Sequence, residues 1–345
     1  MIDQSESVEP EVDDADLEEP EPIVLPGAML LSRVAEHLYW AGRYLERVEA
    51  TARLVKTHTE LFVDLPRSMG LGWAPLLAVT GSRQAFDDGY DRVTEDDVVS
   101  FLLADPAHQG SVVASVDATR ENLRVTRGLI PRRMWELVNE TRRWVTVSAQ
   151  AGSARGSRIM WCEEVIRRCH TVMGAGAATM SRDLAYCFLE VGRMVERADM
   201  TTRVLDVQAG LLMRTDVDTP IPFTDLTWMA MLRSLGAEQM YRRQMGGVIS
   251  AANAVRFLLR EPAFPRSVEH CLIATSELLV ELPSRTDAMA AATDTYRLAH
   301  AVAPEDLDVD GLHEFVDDLQ VALGTLHDQL AATYFPEHPA EAERP

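Results

Sequence analysis

A sequence pattern that occurs twice, at a nearly constant separation, is the feature that most restricts how this 345-residue chain can fold. The pattern Gly-Arg-x-x-Glu-Arg stands at 42–47 and again at 192–197. Because further matches keep the same order along the chain, we expect two diverged tandem copies of one unit, which usually pack about a pseudo-two-fold axis. The other matched positions are Trp73 with Trp228, Leu77 with Leu232, Phe101 with Phe257, Pro106 with Pro262, Ser111 with Ser267, and Glu121 with Glu277.

Apolar residues follow the period of an α-helix through most of the chain. In the first long run, 29–63, Val34, Leu38, Ala41 and Leu45 recur at three- and four-residue steps and mark one buried face. No stretch alternates as a strand does, so the predicted fold is an all-α helical bundle built from the two copies. The expected helices cover 29–63, 73–81, 94–104, 110–128, 132–150, 156–175, 180–214, 224–235, 248–260, 266–281, 284–299 and 308–334.

The two copies divide the chain into four segments. Residues 29–177 are expected to form the first helical repeat and 178–334 the second, with one core shared between them. Residues 1–28 are predicted to be a disordered acidic tail, because the first 24 positions hold ten acids and no Lys or Arg. Residues 335–345 are polar and interrupted by proline, so they are predicted to be a second disordered tail.

Charge and cysteine content argue against several classes of protein. The formal net charge is -21, whereas non-specific nucleic-acid binding needs clustered positive charge. No long uncharged apolar run is present, so no membrane span is expected. The N-terminus lacks a basic region before an apolar stretch, so no secretory signal is predicted. The four cysteines are expected to be buried thiols of a cytoplasmic protein.

Charged residues beside each repeated glycine fall in one stripe of their helix. Successive helical residues are about 100° apart, so these positions share a face that is separate from the main apolar face. If the copies pack about a two-fold axis, the stripes face each other and form a pocket of carboxylates and guanidinium groups. The alternative is a solvated ladder of ion pairs, each worth about 0.2–0.5 kcal/mol. The candidate ligand-binding stripes are Arg43, Glu46, Glu49 and Arg53, and Arg193, Glu196, Asp199 and Arg203.

Gly42 and Gly192 occupy the same position in the two predicted helices. A glycine inside a helix costs about 1 kcal/mol relative to alanine, so its repetition predicts that a backbone or a ligand lies against it. Helix packing alone also explains such a glycine. Either explanation places the charged stripes beside a tight contact.

A second group of candidate ligand-binding residues lies in the element Arg-Glu-Asn-Leu-Arg at 120–124. Glu121 and Arg124 belong to this element, and Glu277 occupies the position of Glu121 in the second copy. The element keeps little else in the second copy, which favours a site that is fuller on one side. A solvated helix face is an equally good interpretation.

Neither a metal nor a cofactor is expected. Cys162, Cys169 and His170 share one predicted helix, but no C-x-x-C or H-E-x-x-H motif accompanies them. The carboxylates of the stripes could hold magnesium, yet the adjacent arginines suit a carboxylate or phosphate ligand better. P-loop, dinucleotide-binding and nucleophile-elbow patterns are also missing from the sequence.

Residues 29–49 (Met-Leu-Leu-Ser-Arg-Val-Ala-Glu-His-Leu-Tyr-Trp-Ala-Gly-Arg-Tyr-Leu-Glu-Arg-Val-Glu) resemble the bacterial alpha-E domain family. The elements at 120–124 and at 135–139 (Trp-Glu-Leu-Val-Asn) are similar to that family too. The resemblance implies a helical protein without a settled activity. Members of the family are commonly encoded beside, or fused to, an unusual ATP-grasp ligase-like protein. The resemblance therefore implies such a partner and a role in making or modifying peptides or amides.

Three hypotheses for the function remain open. The leading one is a helical partner, itself not ATP-binding, of an ATP-grasp amidoligase-like protein, whose Glu/Arg cluster binds an anionic peptide or amino-acid ligand or the partner. In the second, the chain is an enzyme with Glu46 and Glu196 as general acid and base. In the third, the chain is a scaffold and its charges are structural. Burial separates these hypotheses, since an enzyme needs a concave site that contains its carboxylates.

Overall fold

The computed structural model describes residues 30, 32–64, 72–213, 221–246 and 249–336. All regular structure in these ranges is helical, and no β-strand occurs among them. None of the helices found there is long and apolar enough to cross a membrane. These observations confirm the all-α prediction.

Fourteen α-helices are found within the described ranges, and twelve of them have bounds close to the predicted ones. The predicted disordered tails, 1–28 and 335–345, lie outside the described residues apart from Phe335 and Pro336. The helices are α1 (Ser32–Asp64), α2 (Ala74–Val79), α3 (Arg83–Asp87), α4 (Glu95–Leu103), α5 (Val112–Val125), α6 (Arg132–Ser153), α7 (Arg158–Thr179), α8 (Leu184–Met213), α9 (Ile221–Ser234), α10 (Glu238–Met245), α11 (Ala251–Arg260), α12 (Val268–Val280), α13 (Thr286–Ala299) and α14 (Val309–Tyr334).

Two short helices, α3 and α10, are not among those that the apolar pattern predicts. Each buries a single apolar side chain, Phe86 in α3 and Tyr241 in α10, so neither shows a recurring apolar face. Each follows a glycine with positive φ, 62° at Gly81 and 64° at Gly236. Glycine adopts this left-handed conformation without steric cost, which lets the chain turn sharply after α2 and after α9.

The long helices α1 and α8 lie at the centre of the molecule and pack against each other. In the first half α1 packs against α5 and α7, and in the second half α8 packs in the same way against α12 and α14. The short helices cross over, because α2 contacts α8 while α9 contacts α1. Buried residues of both halves belong to one hydrophobic core. The boundary predicted near residue 178 falls in the last turn of α7.

Gly42 and Gly192 allow the backbones of α1 and α8 to touch. A Cβ added at Gly42 would lie 2.0 Å from the carbonyl oxygen of Leu189, and one added at Gly192 would lie 2.1 Å from that of Tyr39. Both distances are far below any van der Waals contact, and the obstacle in each case is backbone rather than a movable side chain. The repeated glycines are therefore explained by contact between two helix backbones.

We expect Gly42→Ala and Gly192→Ala each to lower the free energy of unfolding by at least about 2 kcal/mol, because an added methyl group forces the central helices apart. Gly174→Ala is the matched control, since Gly174 lies inside α7 and nothing lies within 4 Å of its added Cβ. The control should instead gain about 0.5–1 kcal/mol from helix propensity. Urea denaturation followed by circular dichroism measures all three. Equal effects at Gly42 and Gly174 would contradict this account of the contact.

Candidate functional site

The charged stripes of α1 and α8 face each other across the glycine contact and form crossed ion pairs. Arg197 donates two hydrogen bonds to Glu46, at 3.0 and 2.8 Å. Arg47 donates two to Glu196, at 2.5 and 3.0 Å. Each Glu-Arg pair of one helix is therefore bonded to the corresponding pair of the other. Such bidentate, charge-assisted bonds are among the stronger polar contacts in proteins.

Further cations complete the network on both carboxylates. Arg43 crosses from α1 to Glu196, with its Nε 2.6 Å from that carboxylate. On the other side Arg266, from the loop before α12, bridges Glu46 and Glu49 with its two terminal nitrogens, each at 2.6 Å. The resulting cluster joins two central helices and a loop of the second half.

Glu49 and its counterpart Asp199 stand at the outer ends of this cluster. Glu49 pairs with Arg53 along α1 and also lies 3.0 Å from the His170 ring nitrogen of α7. Asp199 pairs with Arg203 along α8 at 3.0 Å. These two pairs join residues four positions apart on the same helix, as in the ladder of ion pairs that the sequence allows as the alternative.

Burial and arginine charge act in opposite directions on the carboxylates. Burial alone would raise the pKa of Glu46, but the charges of Arg197 and Arg266 lower it to about 2. The pKa of Glu196 is lowered in the same way, because the charges of Arg47 and Arg43 outweigh its burial. Both carboxylates are therefore ionised at neutral pH. Glu46 is 0% exposed and Glu196 1%, so both are almost completely buried.

Asp199 differs from these two glutamates. Burial raises its pKa above the ordinary value, and the opposing charge of Arg203 does not compensate. Its side chain is also somewhat more exposed, at 18%. Asp199 is thus the carboxylate of the cluster whose charge is least well balanced.

A cavity of about 340 Å³ opens beside the cluster on the Glu196 side. Arg43, Arg47, Glu196, Asp199 and Arg203 form its charged wall. The lining also includes residues of the turn after α2, of α3 and of the loop before α5; they are Thr80, Gly81, Ser82, Ala85, His108 and Gly110. The volume lies at the small end of the range for ligand pockets.

The eight stripe residues that the sequence proposed as a site lie together in the cluster or against it. Arg193 is the least engaged with the partner helix, since its Nε lies 3.7 Å from Glu46 and it pairs with Glu190 instead. The remaining candidates do not join the site. Glu121 and Arg124 form an exposed ion pair with each other on α5, and Glu277 is exposed on α12. Glu121 and Arg124 were predicted from the element at 120–124 and Glu277 from its matching position in the second copy, and all three side chains are exposed to solvent.

The sequence reasoning missed four residues that complete the cluster. Arg47 and Arg197 could have been predicted from the sequence, because each is the last residue of the recurring pattern Gly-Arg-x-x-Glu-Arg. Arg266 and His170 had none, since they are brought to the cluster only by the packing of α12 and α7 against the central helices. Arg266 also has no arginine counterpart in the first half, because the aligned position there is a glycine.

One group of metal-type side chains is found among the described residues, and it lies away from the cluster. Asp206, His313 and Asp317 bring their ligand atoms within 4.8 Å of one another on the surface between α8 and α14. Exposed acidic groups of this kind are common without an ion. The carboxylates of the cluster instead form ion pairs with arginine side chains.

The family model for the Alpha-E domain matches residues 30–335 and describes a predicted alpha-helical domain with a conserved ER motif. The chain belongs to the Alpha-E family. It carries Glu followed by Arg at 46–47 and at 196–197, the positions that form the crossed ion pairs. The family's motif thus coincides in this protein with the contact between the central helices.

Similar proteins occur in mycobacteria and are longer than this chain. Those of Mycobacterium bovis and of two Mycobacterium tuberculosis strains are 25% identical over 332 residues and are described only as uncharacterized proteins. The match covers 87% of this chain and 36% of each relative, so the chain spans about a third of their length. No solved structure matches the chain.

We expect Glu46→Gln to lower the free energy of unfolding by about 3–5 kcal/mol, because it leaves the buried Arg197 and Arg266 without a full counter-charge. Glu121→Gln is the control, since it removes the same charge from an exposed pair on α5. That change should stay within about 1 kcal/mol. Urea titrations of both variants measure these changes in the free energy of unfolding. Equal losses would show that the cluster contributes no more stability than an exposed ion pair.

The cluster should also make the fold sensitive to acid. The lowered pKa of Glu46, about 2 against an ordinary 4.5, means that the unfolded chain takes up this proton at higher pH than the folded one. Its stabilising contribution is complete above about pH 4.5 and is lost as pH falls towards 2. Glu196 acts in the same direction, whereas Asp199 partly opposes it. Melting temperatures between pH 6 and pH 2 should therefore fall steeply, and less steeply in Glu46→Gln.

Proposed function

We propose that this Alpha-E protein is a non-catalytic helical partner of an ATP-grasp amidoligase-like protein that makes or modifies peptides or amides. The resemblance of the opening motif supports the choice of partner. The length of the mycobacterial relatives supports a cooperative role as well, because most of each relative lies outside the matched domain. A domain that is carried within a longer chain is commonly one that works together with its neighbours.

The proposal includes an internal duplication, with the two halves related by a pseudo-two-fold axis. Reciprocal contacts support it, since Glu46 with Arg197 and Glu196 with Arg47 exchange equivalent positions. The turn glycines behave alike: Arg203 lies against Gly81, and its counterpart Arg53 lies against Gly236. A self-complementary interface of this kind is the signature of two-fold packing.

The geometry argues against the hypothesis that Glu46 and Glu196 are a general acid and base. A catalytic acid or base must reach its substrate and should titrate near the working pH. Here both carboxylates are almost completely buried, each accepts several arginine hydrogen bonds, and the pKa of each is lowered. Their chemistry suits the joining of two helices better than proton transfer.

The observation that carries the proposal is the cavity beside the cluster. On the Glu46 side the carboxylates are fully enclosed by the protein's own arginines, whereas on the Glu196 side the same wall borders an open space of about 340 Å³. A rigid, charged wall at the centre of the molecule is suited to hold a charged group of a peptide-like ligand or of the partner. The arginines of this wall are already paired with Glu196 and Asp199, which does not favour the anionic ligand that the sequence indicated.

Affinity purification of the full chain from its native host tests the proposal. We expect an ATP-grasp ligase-like protein to be enriched at least tenfold over an untagged strain, and the purified chain alone to consume no ATP. Ala85→Trp should reduce this enrichment severalfold, because Ala85 is an exposed residue of α3 that lines the cavity. Gln84→Trp is its control, being exposed on the same helix but outside the cavity lining.

Two results would count against the proposal. ATP consumption or amide formation by the chain alone would favour the enzyme hypothesis instead. Purification without any ligase-like protein, from cells that produce one, would favour a scaffold with a different partner.

A further inference from the structure

The loops that precede α5 and α12 are built alike but differ at one position next to the cluster. Residues 101–111 and 257–267 align without a gap, and Gly110 stands where the second loop has Arg266. The backbone follows the same course in both. Ser111 and Ser267 each donate a backbone hydrogen bond to the residue three positions earlier, and each hydroxyl donates to the carbonyl six positions earlier. The glycine therefore removes a side chain without changing the loop.

In the second loop Arg266 fills the space beside Glu46 and Glu49. Its guanidinium bridges the two carboxylates, and its carbonyl oxygen accepts a hydrogen bond from Thr201 of α8 at 2.9 Å. The Arg266 side chain is only 13% exposed. Arg266 thus shows how a guanidinium group is held between two carboxylates on this side of the cluster.

On the Glu196 side of the cluster, the corresponding space is the cavity. Gly110 and Thr51, the counterpart of Thr201, both line it. Oε1 of Glu196 accepts a hydrogen bond from Arg47 alone, whereas Oε1 of Glu46 accepts one from Arg197 and one from Arg266. Within the described residues Asp199 accepts a side-chain hydrogen bond from Arg203 at Oδ1 only. Among the described residues, no protein side chain occupies on this side the acceptor positions that Arg266 occupies on the other.

We propose that the cavity binds the guanidinium group of an arginine side chain presented by a peptide segment, which bridges Glu196 and Asp199 as Arg266 bridges Glu46 and Glu49. This assignment rests on the proposed binding role and names the ligand of that same cavity. Asp199 is one methylene shorter than Glu49, which leaves additional room for a group that enters from outside. Arginine suits the task because its planar fork matches two carboxylates at once.

A second arginine beside these carboxylates has a precedent on the filled side. There Arg266 stands with Arg53, Arg193 and Arg197, the counterparts of the three arginines that line the cavity, beside Glu46, Glu49 and Glu190. An incoming anion would instead have to compete with Glu196 for Arg43 and Arg47. The raised pKa of Asp199 agrees with a carboxylate that lacks the second cation its counterpart has.

Isothermal titration of the full chain with four capped amino acids tests this assignment. Nα-acetyl-L-arginine amide is the probe, the citrulline amide is its neutral isostere, and the lysine and glutamate amides offer an ammonium and a carboxylate. At low ionic strength we expect the arginine amide to bind at least tenfold more tightly than the citrulline and glutamate amides, with lysine between them. Free L-arginine should bind more weakly than the capped form if a peptide segment is the source.

Two variants link the binding to the cavity. Replacing His108, Gln109 and Gly110 by Phe, Pro and Arg copies the residues at 264–266 into the first loop. In this triple variant we expect the introduced arginine side chain to occupy the cavity. Binding of the arginine amide should then be abolished, and the melting temperature should rise. Copying all three residues matters because a Cβ at Gly110 alone would meet the His108 ring at 2.9 Å. Asp199→Asn should weaken binding at least tenfold.

Gly128→Arg is the matched control, since it adds the same charge after α5, where nothing lies within 4 Å of the added Cβ. It should leave binding unchanged. Tighter binding of the glutamate amide than of the arginine amide would overturn the guanidinium assignment while leaving a binding role intact. Absence of binding by all four probes, or undiminished binding by the triple variant in its folded state, would also overturn it. None of these outcomes bears on whether a ligase-like protein is purified with the chain.

Discussion

The rest of the structure depends on the direct contact between the backbones of α1 and α8 at Gly42 and Gly192. The contact brings two charged stripes close enough for Glu46 to reach Arg197 and for Glu196 to reach Arg47. Removing these charges from water is costly, and an imperfect geometry would not recover the cost. Bidentate pairing on both sides provides the geometry that burial demands. The glycines and the ion pairs therefore require each other.

The same contact explains why the two halves share one core. The charged residues occupy one face of α1 and α8, while the apolar faces of these helices pack against α5 and α7 in the first half and against α12 and α14 in the second. Helix α2 lies against α8 and helix α9 against α1, so neither half encloses its own central helix alone. A change at the glycine contact is expected to be felt in both halves.

Asymmetry between the halves determines on which side of the cluster the carboxylates border a cavity. A fully symmetric molecule would either fill both sides of the cluster with its own arginine or leave both open. The exchange of arginine for glycine between positions 266 and 110 fills one side and opens the other. The additional arginine and the cavity are thus found on opposite sides of the cluster. This division fits a helical module of the Alpha-E family that binds a charged group rather than transforms it.

The sequence by itself determined the helical class, most helix bounds and the residues of the two charged stripes. These features follow from local rules: apolar period, proline and glycine breaks, and a motif that is repeated in the same order. It did not separate the stripes from the exposed residues Glu121, Arg124 and Glu277, because helical period shows which residues of a helix share a face but not what covers that face. Only the tertiary structure decided that Arg43 bonds across to Glu196, that Arg266 reaches Glu46, and that the space beside Asp199 stays open. Those contacts join residues far apart along the chain, and their partners are set by how the helices pack rather than by any local pattern.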